Sequence, residues 1–511
     1  MEAIYTKSVE RWGVFEISCP GRKEGNPFTD YTIEADFASR NEKKTVRGFY
    51  DGDGCYRVRF MPSFEGEYHF TVHGSFSDEI TEGVFTAGTP GEHNHGPVRV
   101  TDRFHFAYED GTPHFSFGTT CYVWAFQSDD RIAQTLKTLK EGPFNKIRFC
   151  IFPKHYDYNL CEPRSYPYEG TPMDSSVLTR ENFQQYTGRT EGNHWDFTRF
   201  NPAHFQHLDQ MIQALQDMGI EADLIVMHPY DRWGFSSMTR EQDELYWRYV
   251  IARFAAYRNV WWSLANEYDL LFQKTTEDWE FYASLLCEED PYGHLRSIHN
   301  CIAFYDHTRP WITHASIQRQ DYYRTTEYVD EWRTRYGKPV VCDEIAYEGN
   351  IQHGWGNISG PELTRRFWEA VLRGGYAGHG ETYMSDDDIL WWSHGGILHG
   401  DSPARIGFLR KIVEELPCGL RRIPSSFDDV CAGLDKPQYM FTEKQPYRLY
   451  YYGFARPSFK NFDLDGDVKY RVDVIDTWNM TIEEVGVFSG KFRISLPGRE
   501  YMAIRMRIAE D

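Results

Sequence analysis

The sequence predicts an α/β fold: a (β/α)8 TIM barrel flanked by N-terminal and C-terminal β-sandwich domains. Three observations carry that expectation. The chain has 511 residues, enough for roughly three to four domains. Its middle alternates helix-period stretches with short apolar runs, as repeated βα units do. Its two ends lose that rhythm and read as short alternating strands between turns. The expected division is residues 1–97, 98–417 and 418–511.

In order along the chain, strands are expected at Arg11 to Ser18, Tyr31 to Phe37, Tyr56 to Met61 and Glu67 to Val72, with Asp51-Gly52-Asp53-Gly54 as a turn. The breaker-rich stretch Thr89 to Pro97 closes this first block. Barrel strands are expected at Phe115 to Gly118, Lys146 to Ile151, Ala222 to Met227, Val260 to Ala265, Arg296 to His299, Trp311 to His314, Pro339 to Cys342 and Ala377 to Glu381. Eight is the number that closes such a barrel. Between the second and third strands, Asn201-Pro202 starts a helix whose apolar face is Phe205, Leu208, Met211, Ile212 and Leu215, and Gly219 ends it. A doubly wound sheet would want a Gly-rich turn after its first strand, and none occurs. Strand alternation returns at Tyr447 to Tyr452, Lys469 to Ile475 and Tyr501 to Ile508.

Composition narrows the function. Apolar residues make up 41% and charged residues 26%, which is globular rather than disordered. A net charge of −21 repels phosphate backbones and anionic headgroups, so neither nucleic acid nor membrane is an expected partner. With 16% aromatics, a neutral carbohydrate held by ring faces and a few carboxylates fits better. No apolar run is long enough to span a bilayer and no basic, then apolar, leader opens the chain, so a cytoplasmic location is expected. The ten cysteines show no CxxC pair and read as reduced core thiols. No cofactor or metal is expected; a homo-oligomer is compatible with the composition.

In a TIM barrel the chemistry sits where strands end at their C-terminal side. Two carboxylates there, Glu267 after the fourth strand and Glu344 after the seventh, suit glycosidic hydrolysis: one acid protonates the departing oxygen and a second group supports the oxocarbenium-like centre. Asp343 immediately precedes Glu344. Side chains alternate along a strand, so only one of the two faces the mouth squarely, and the longer Glu344 is the expected one. Around them stand Asn266, Trp124, His228, Trp233, His299 and His314 as candidate substrate contacts. Arg148 reads either as a packed counter-charge or as support for Glu344, and Glu381 as a sugar contact or a partner for Arg148. Trp391 and Trp392, after the eighth strand, are the expected stacking platform. His228, His299, His314 and His379 leave a metal-dependent hydrolase as one alternative, although no His-x-His pair follows the first strand. A non-catalytic carbohydrate-binding protein is the other.

The Asn-Glu ending the fourth strand and the Glu ending an apolar seventh resemble the retaining (β/α)8 glycosidases of clan GH-A. More narrowly, Phe104 to Phe115 leading into Gly118-Thr119-Thr120-Cys121-Tyr122-Val123-Trp124, with Asn201-Pro202-Ala203-His204-Phe205, resembles the apiosidase-like glycoside hydrolases (DUF4038). Gly48 to Pro62 resembles the DUF5060 sandwich, and the tail resembles DUF5605. The resemblance implies Glu267 as general acid/base, Asn266 as holder of the hydroxyl beside the scissile bond and Glu344 as nucleophile. It further implies exo-acting removal of a terminal sugar, such as a furanose like apiose, arabinofuranose or galactofuranose, from oligosaccharides or plant glycosides.

Overall fold

The computed structural model describes residues 3–385, 389–425, 429–439 and 445–509. Eight parallel strands make one sheet: β1 (Phe117–Thr120), β2 (Lys146–Cys150), β3 (Glu221–Met227), β4 (Val260–Ala265), β5 (Arg296–Ser297), β6 (Ala315–Gln318), β7 (Val340–Glu344) and β8 (Tyr376–His379). Their hydrogen-bonded order, β5-β4-β3-β2-β1-β8-β7-β6, runs round a barrel. Every residue of β2, β3, β4 and β7 is buried, as expected of parallel strands covered on both faces. The covering helices are α1 (Asp129–Glu141), α2 (Pro202–Asp217), α3 (Arg240–Phe254), α4 (Thr276–Glu289), α5 (Val329–Tyr336), α6 (Gly360–Leu372) and α7 (Ser402–Glu414). Helix α2 begins where the sequence predicts. The Asn201 side chain accepts the N–H of Ala203, and Pro202 fills a first turn that needs no donor.

The barrel has one seam. No ladder joins β5 to β6, and no helix forms in the described segment 298–314 that connects them. The Asn300 amide bridges the gap instead: its Nδ2 donates to the Gln318 carbonyl at 3.1 Å, and its Oδ1 accepts the Gln318 N–H at 3.2 Å.

Two barrel strands begin more than one residue away from expectation. The first is Phe117–Thr120, two residues later than predicted. The sixth is Ala315–Gln318, after the predicted Trp311 to His314. Trp311 instead packs in the connection, where its indole donates to Glu280. The true strand carries Ser316 and Gln318 toward the barrel interior, which breaks the apolar signature a sequence reading looks for.

The N-terminal block pairs into a four-stranded and a five-stranded sheet. Their shared core is aromatic: Phe15 stacks on Phe85 with ring centroids 3.7 Å apart, and Phe37 on Phe60 at 4.1 Å. A buried ion network fixes this sandwich to the barrel. Arg59 meets Asp209 of α2 through two hydrogen bonds of 2.7 and 2.9 Å, and Arg253 of α3 meets Asp51 at 2.8 Å. The C-terminal block is a six-stranded sheet with a two-stranded ribbon, Phe459–Asp463 against Lys491–Ser495. It is anchored by His105 to Asp435 at 2.8 Å and by Arg505 to Glu415 at 3.1 Å. The ten cysteines are unpaired. Among the described residues no helix is long and apolar enough to cross a membrane.

Candidate active site

The strand ends build two charged layers, one above the other. The lower layer is the floor. Lys146, at the start of β2, donates to Asp223 Oδ2 and to Asp343 Oδ1, each at 2.7 Å. Ser316 donates to the other Asp343 oxygen at 2.5 Å. Burial works against ionisation of Asp343, but Lys146, Arg148 and His299 overcome it and hold the carboxyl far below the usual range. Of the two adjacent acids, Asp343 thus takes the interior position, and Glu344, the last residue of β7, turns to the mouth.

The upper layer holds Glu267 and Glu344, only 6% and 4% exposed. Glu344 Oε1 accepts from the Tyr122 hydroxyl, from Arg148 Nη1 at 3.1 Å, and faces His299 Nε2 at 3.3 Å. Burial pushes this carboxyl up; His299, Arg148 and the Tyr122 hydroxyl more than offset that and leave it well below the ordinary range. Glu267 follows β4 with φ of +50°, a left-handed conformation uncommon for a residue with a side chain. Its carboxyl accepts from the Tyr230 hydroxyl and from Gln318 Nε2 at 3.0 Å. Burial, then the charge of Glu344, raise its pKa, and the donors and Lys154 only partly oppose them. The two carboxyls are therefore driven apart, the pKa of Glu344 downward and that of Glu267 upward.

Side chains link the pair. Asn266 Oδ1 accepts from Arg148 at 2.8 Å and from Tyr122 at 3.3 Å. Gln318 joins Glu267 to His299, whose Nε2 lies 3.1 Å from Gln318 Oε1. His299 Nδ1 sits 2.9 Å from Ser316 Oγ, so the imidazole connects mouth to floor. The wall is aromatic: Trp392 packs against Tyr122, Tyr156 and Trp355 at centroid distances of 5.5, 5.9 and 5.1 Å.

Of the residues expected at the site, Glu267, Glu344, Asn266, Arg148, His299 and Trp392 come together here. The others lie apart. His314 precedes β6 rather than ending it, so it sits among Trp261 and Phe106, away from the mouth. Trp124 is fully buried against Phe149, and the Trp391 indole donates inward to Thr119 at 2.9 Å. Trp392 alone of the expected tandem platform reaches the wall. His228 hydrogen-bonds the Phe152 carbonyl, and burial drives its pKa down to about 3. Trp233 lines a neighbouring cavity of about 530 Å3 that neither carboxylate borders. Glu381 does not meet Arg148; it accepts the backbone N–H groups of His399 and Gly400 and fixes the loop before α7. The four histidines disperse, and among the described residues no three His, Cys, Asp or Glu side chains converge as a metal site would require. Tyr122 falls inside the Gly118 to Trp124 motif without a role assigned to it, and Tyr230 and Gln318 stand beyond expected strands with no motif to mark them. Lys154, four residues past β2, had no signal at all.

Comparison with known proteins places these features in context. The family described as "Apiosidase-like, catalytic domain" matches residues 101–397, and domains of unknown function DUF5060 and DUF5605 match residues 8–75 and 430–507. A crystal structure of a "putative glycoside hydrolase" from Bacteroides vulgatus is 36% identical over 99% of this chain and 100% of its own, with a TM-score of 0.90. Another structure, described as a glycoside hydrolase, is 15% identical over 82% of this chain and 98% of its own, with a TM-score of 0.57, and bears on the fold alone. No curated protein matches the chain.

Proposed function

Because the chain belongs to the apiosidase-like family, we propose that it is a glycoside hydrolase working by retaining double displacement. The observation that carries this is a pair of buried carboxyls at the barrel mouth in unlike surroundings: Glu344 accepts from Tyr122 and Arg148, which favours its ionised form, whereas Glu267 has only the neutral donors Tyr230 and Gln318, and burial pushes its pKa up. Glu344 attacks the anomeric carbon while Glu267 gives its proton to the leaving oxygen. Once that proton has gone, Glu267 takes one from the water that releases the sugar, which regenerates both groups. Arg148 and Tyr122 both engage the same carboxylate oxygen of Glu344, Oε1. Asn266, its amide oxygen occupied by Arg148 and Tyr122 and one N–H of its Nδ2 directed to Glu267 Oε2 at 3.5 Å, has a second N–H to offer a sugar hydroxyl. Trp392 and Trp355 supply ring faces for sugar C–H groups.

The family likeness supports an exo-acting enzyme that removes a terminal sugar, a furanose in our reading. A panel of aryl pyranosides and furanosides tests both points. Turnover by wild type, its loss in Glu344→Gln, and recovery of Glu344→Ala with azide are the expected results. Full activity in Glu344→Gln would refute the mechanism.

A further inference from the structure

Lys154 is 2% exposed, and its ammonium has neither an ion pair nor a hydrogen-bond acceptor among the described residues. It stands instead in a cage of rings: Nζ lies 3.4 Å from the centroid of Tyr122, 4.2 Å from Tyr230, 4.6 Å from Trp392 and 5.7 Å from Tyr156. The backbone there is fixed. His155 N–H donates to the Tyr230 carbonyl at 2.8 Å, and the Lys154 carbonyl accepts from Asn159.

The two nearest rings are the two whose hydroxyls donate to the carboxyls, Tyr122 to Glu344 and Tyr230 to Glu267. We propose that Lys154 is a positioning residue, a cationic spacer between Tyr122 and Tyr230 that sets the separation and hydrogen-bond strength of both carboxyl groups. A cation on a ring face is attracted by the quadrupole. It also draws electron density from the phenol, which makes each hydroxyl a better donor to its carboxyl. One charge thus serves two acids without pairing with either. Lys146 in the floor does the opposite, binding two aspartates directly. Burial lowers the Lys154 pKa to about 8, against the opposing pull of Cys150, Glu267 and Glu344, so the ammonium is mostly charged at neutral pH.

The roles of the two acids rest on the function proposed above, so the test has one arm that reads turnover and one that does not. Glu267 is faced by Glu344, Lys154, Tyr122, Tyr156, Tyr230 and Cys301, and Asp269 lies on its own turn. Removing the cation in Lys154→Met should lower kcat about 10- to 100-fold with KM little changed. It should also move the alkaline limb up by about one pH unit, because Glu267 then keeps its proton to higher pH. Lys154→Arg, which retains a cation over the rings, should restore the limb. The second arm follows the Glu267 carboxyl by carbon NMR, assigned against Glu267→Gln, and should show the same upward shift in Lys154→Met. If the NMR shift appears in a protein without turnover, the glycosidase reading fails and the spacer stands. An unmoved carboxyl in active Lys154→Met overturns the spacer, and so does a raised KM at unchanged kcat, which marks a sugar contact. Should Lys154→Met fail to fold, Tyr230→Phe gives the same reading: an alkaline limb unchanged by loss of that hydroxyl overturns the proposal.

Discussion

The floor and the mouth of the barrel are built from the same residue types and behave in opposite ways. In the floor, Lys146 pairs directly with Asp223 and Asp343, and all three side chains are at most 3% exposed. In the mouth, Glu267 has no cation at ion-pair distance among the described residues, and Lys154 has no anion. Direct compensation makes the floor a structural device, since breaking a buried pair strands a charge. Glu344 of the mouth is compensated too, by Arg148 at 3.1 Å, but compensation withheld from Glu267 suits it to chemistry, since a carboxyl whose pKa burial raises more readily keeps a proton to give.

The sharpest test of that contrast is a pair of substitutions. Glu344→Gln should cost at least about 10^4-fold in kcat per folded molecule, as loss of a nucleophile does. Lys146→Met should instead lower stability by about 3–5 kcal/mol, read by denaturant titration, with kcat per folded molecule largely kept. If Lys146→Met were stable and inactive, the division between floor and mouth would be wrong. Glu267→Gln should slow poor leaving groups by about 10^2- to 10^4-fold and activated aryl glycosides far less, because only the former need the proton.

The pH profile sharpens the same point. Turnover requires Glu344 ionised and Glu267 protonated, so it falls below the depressed pKa of Glu344 and above the raised pKa of Glu267. The active window should be wider than for two ordinary carboxyls, and Glu267→Gln should remove its alkaline limb while sparing the acid limb. The smallest effect belongs to the wall. Trp392→Ala should raise KM by roughly tenfold, the scale of one lost ring contact, with a lesser change in kcat.

The sequence makes the barrel legible because β3, β4 and β7 are built mainly of apolar residues and α2 carries its own start signal in Asn201-Pro202. It makes Glu267 and Glu344 legible because each stands one polar residue beyond such a stretch, after Asn266 and Asp343. It fails where a strand is itself part of the site. Ser316 and Gln318 point into the barrel to serve Asp343, His299 and Glu267, so β6 lacks the apolar pattern, and the neighbouring Trp311-Ile312 attracts the assignment. That shift carried His314 to the wrong end of the barrel. Lys154 stays hidden for another reason. Its partners are ring faces from three other segments, and no local spacing encodes a cage assembled from residues 122, 156, 230 and 392.

Asn300 gives the barrel a mechanical character that its strand count conceals. A hoop closed by ladders all round opens only when the whole sheet does. This one is a split ring pinned by side chains, the Asn300 amide and the His299 imidazole, so its lowest-energy opening is expected between β5 and β6. The Gln318 N–H, held by that pin, should exchange with solvent sooner than the amides of β3 and β4. Because the Gln318 side chain holds Glu267, each excursion of the pin also slackens the grip on the proton donor.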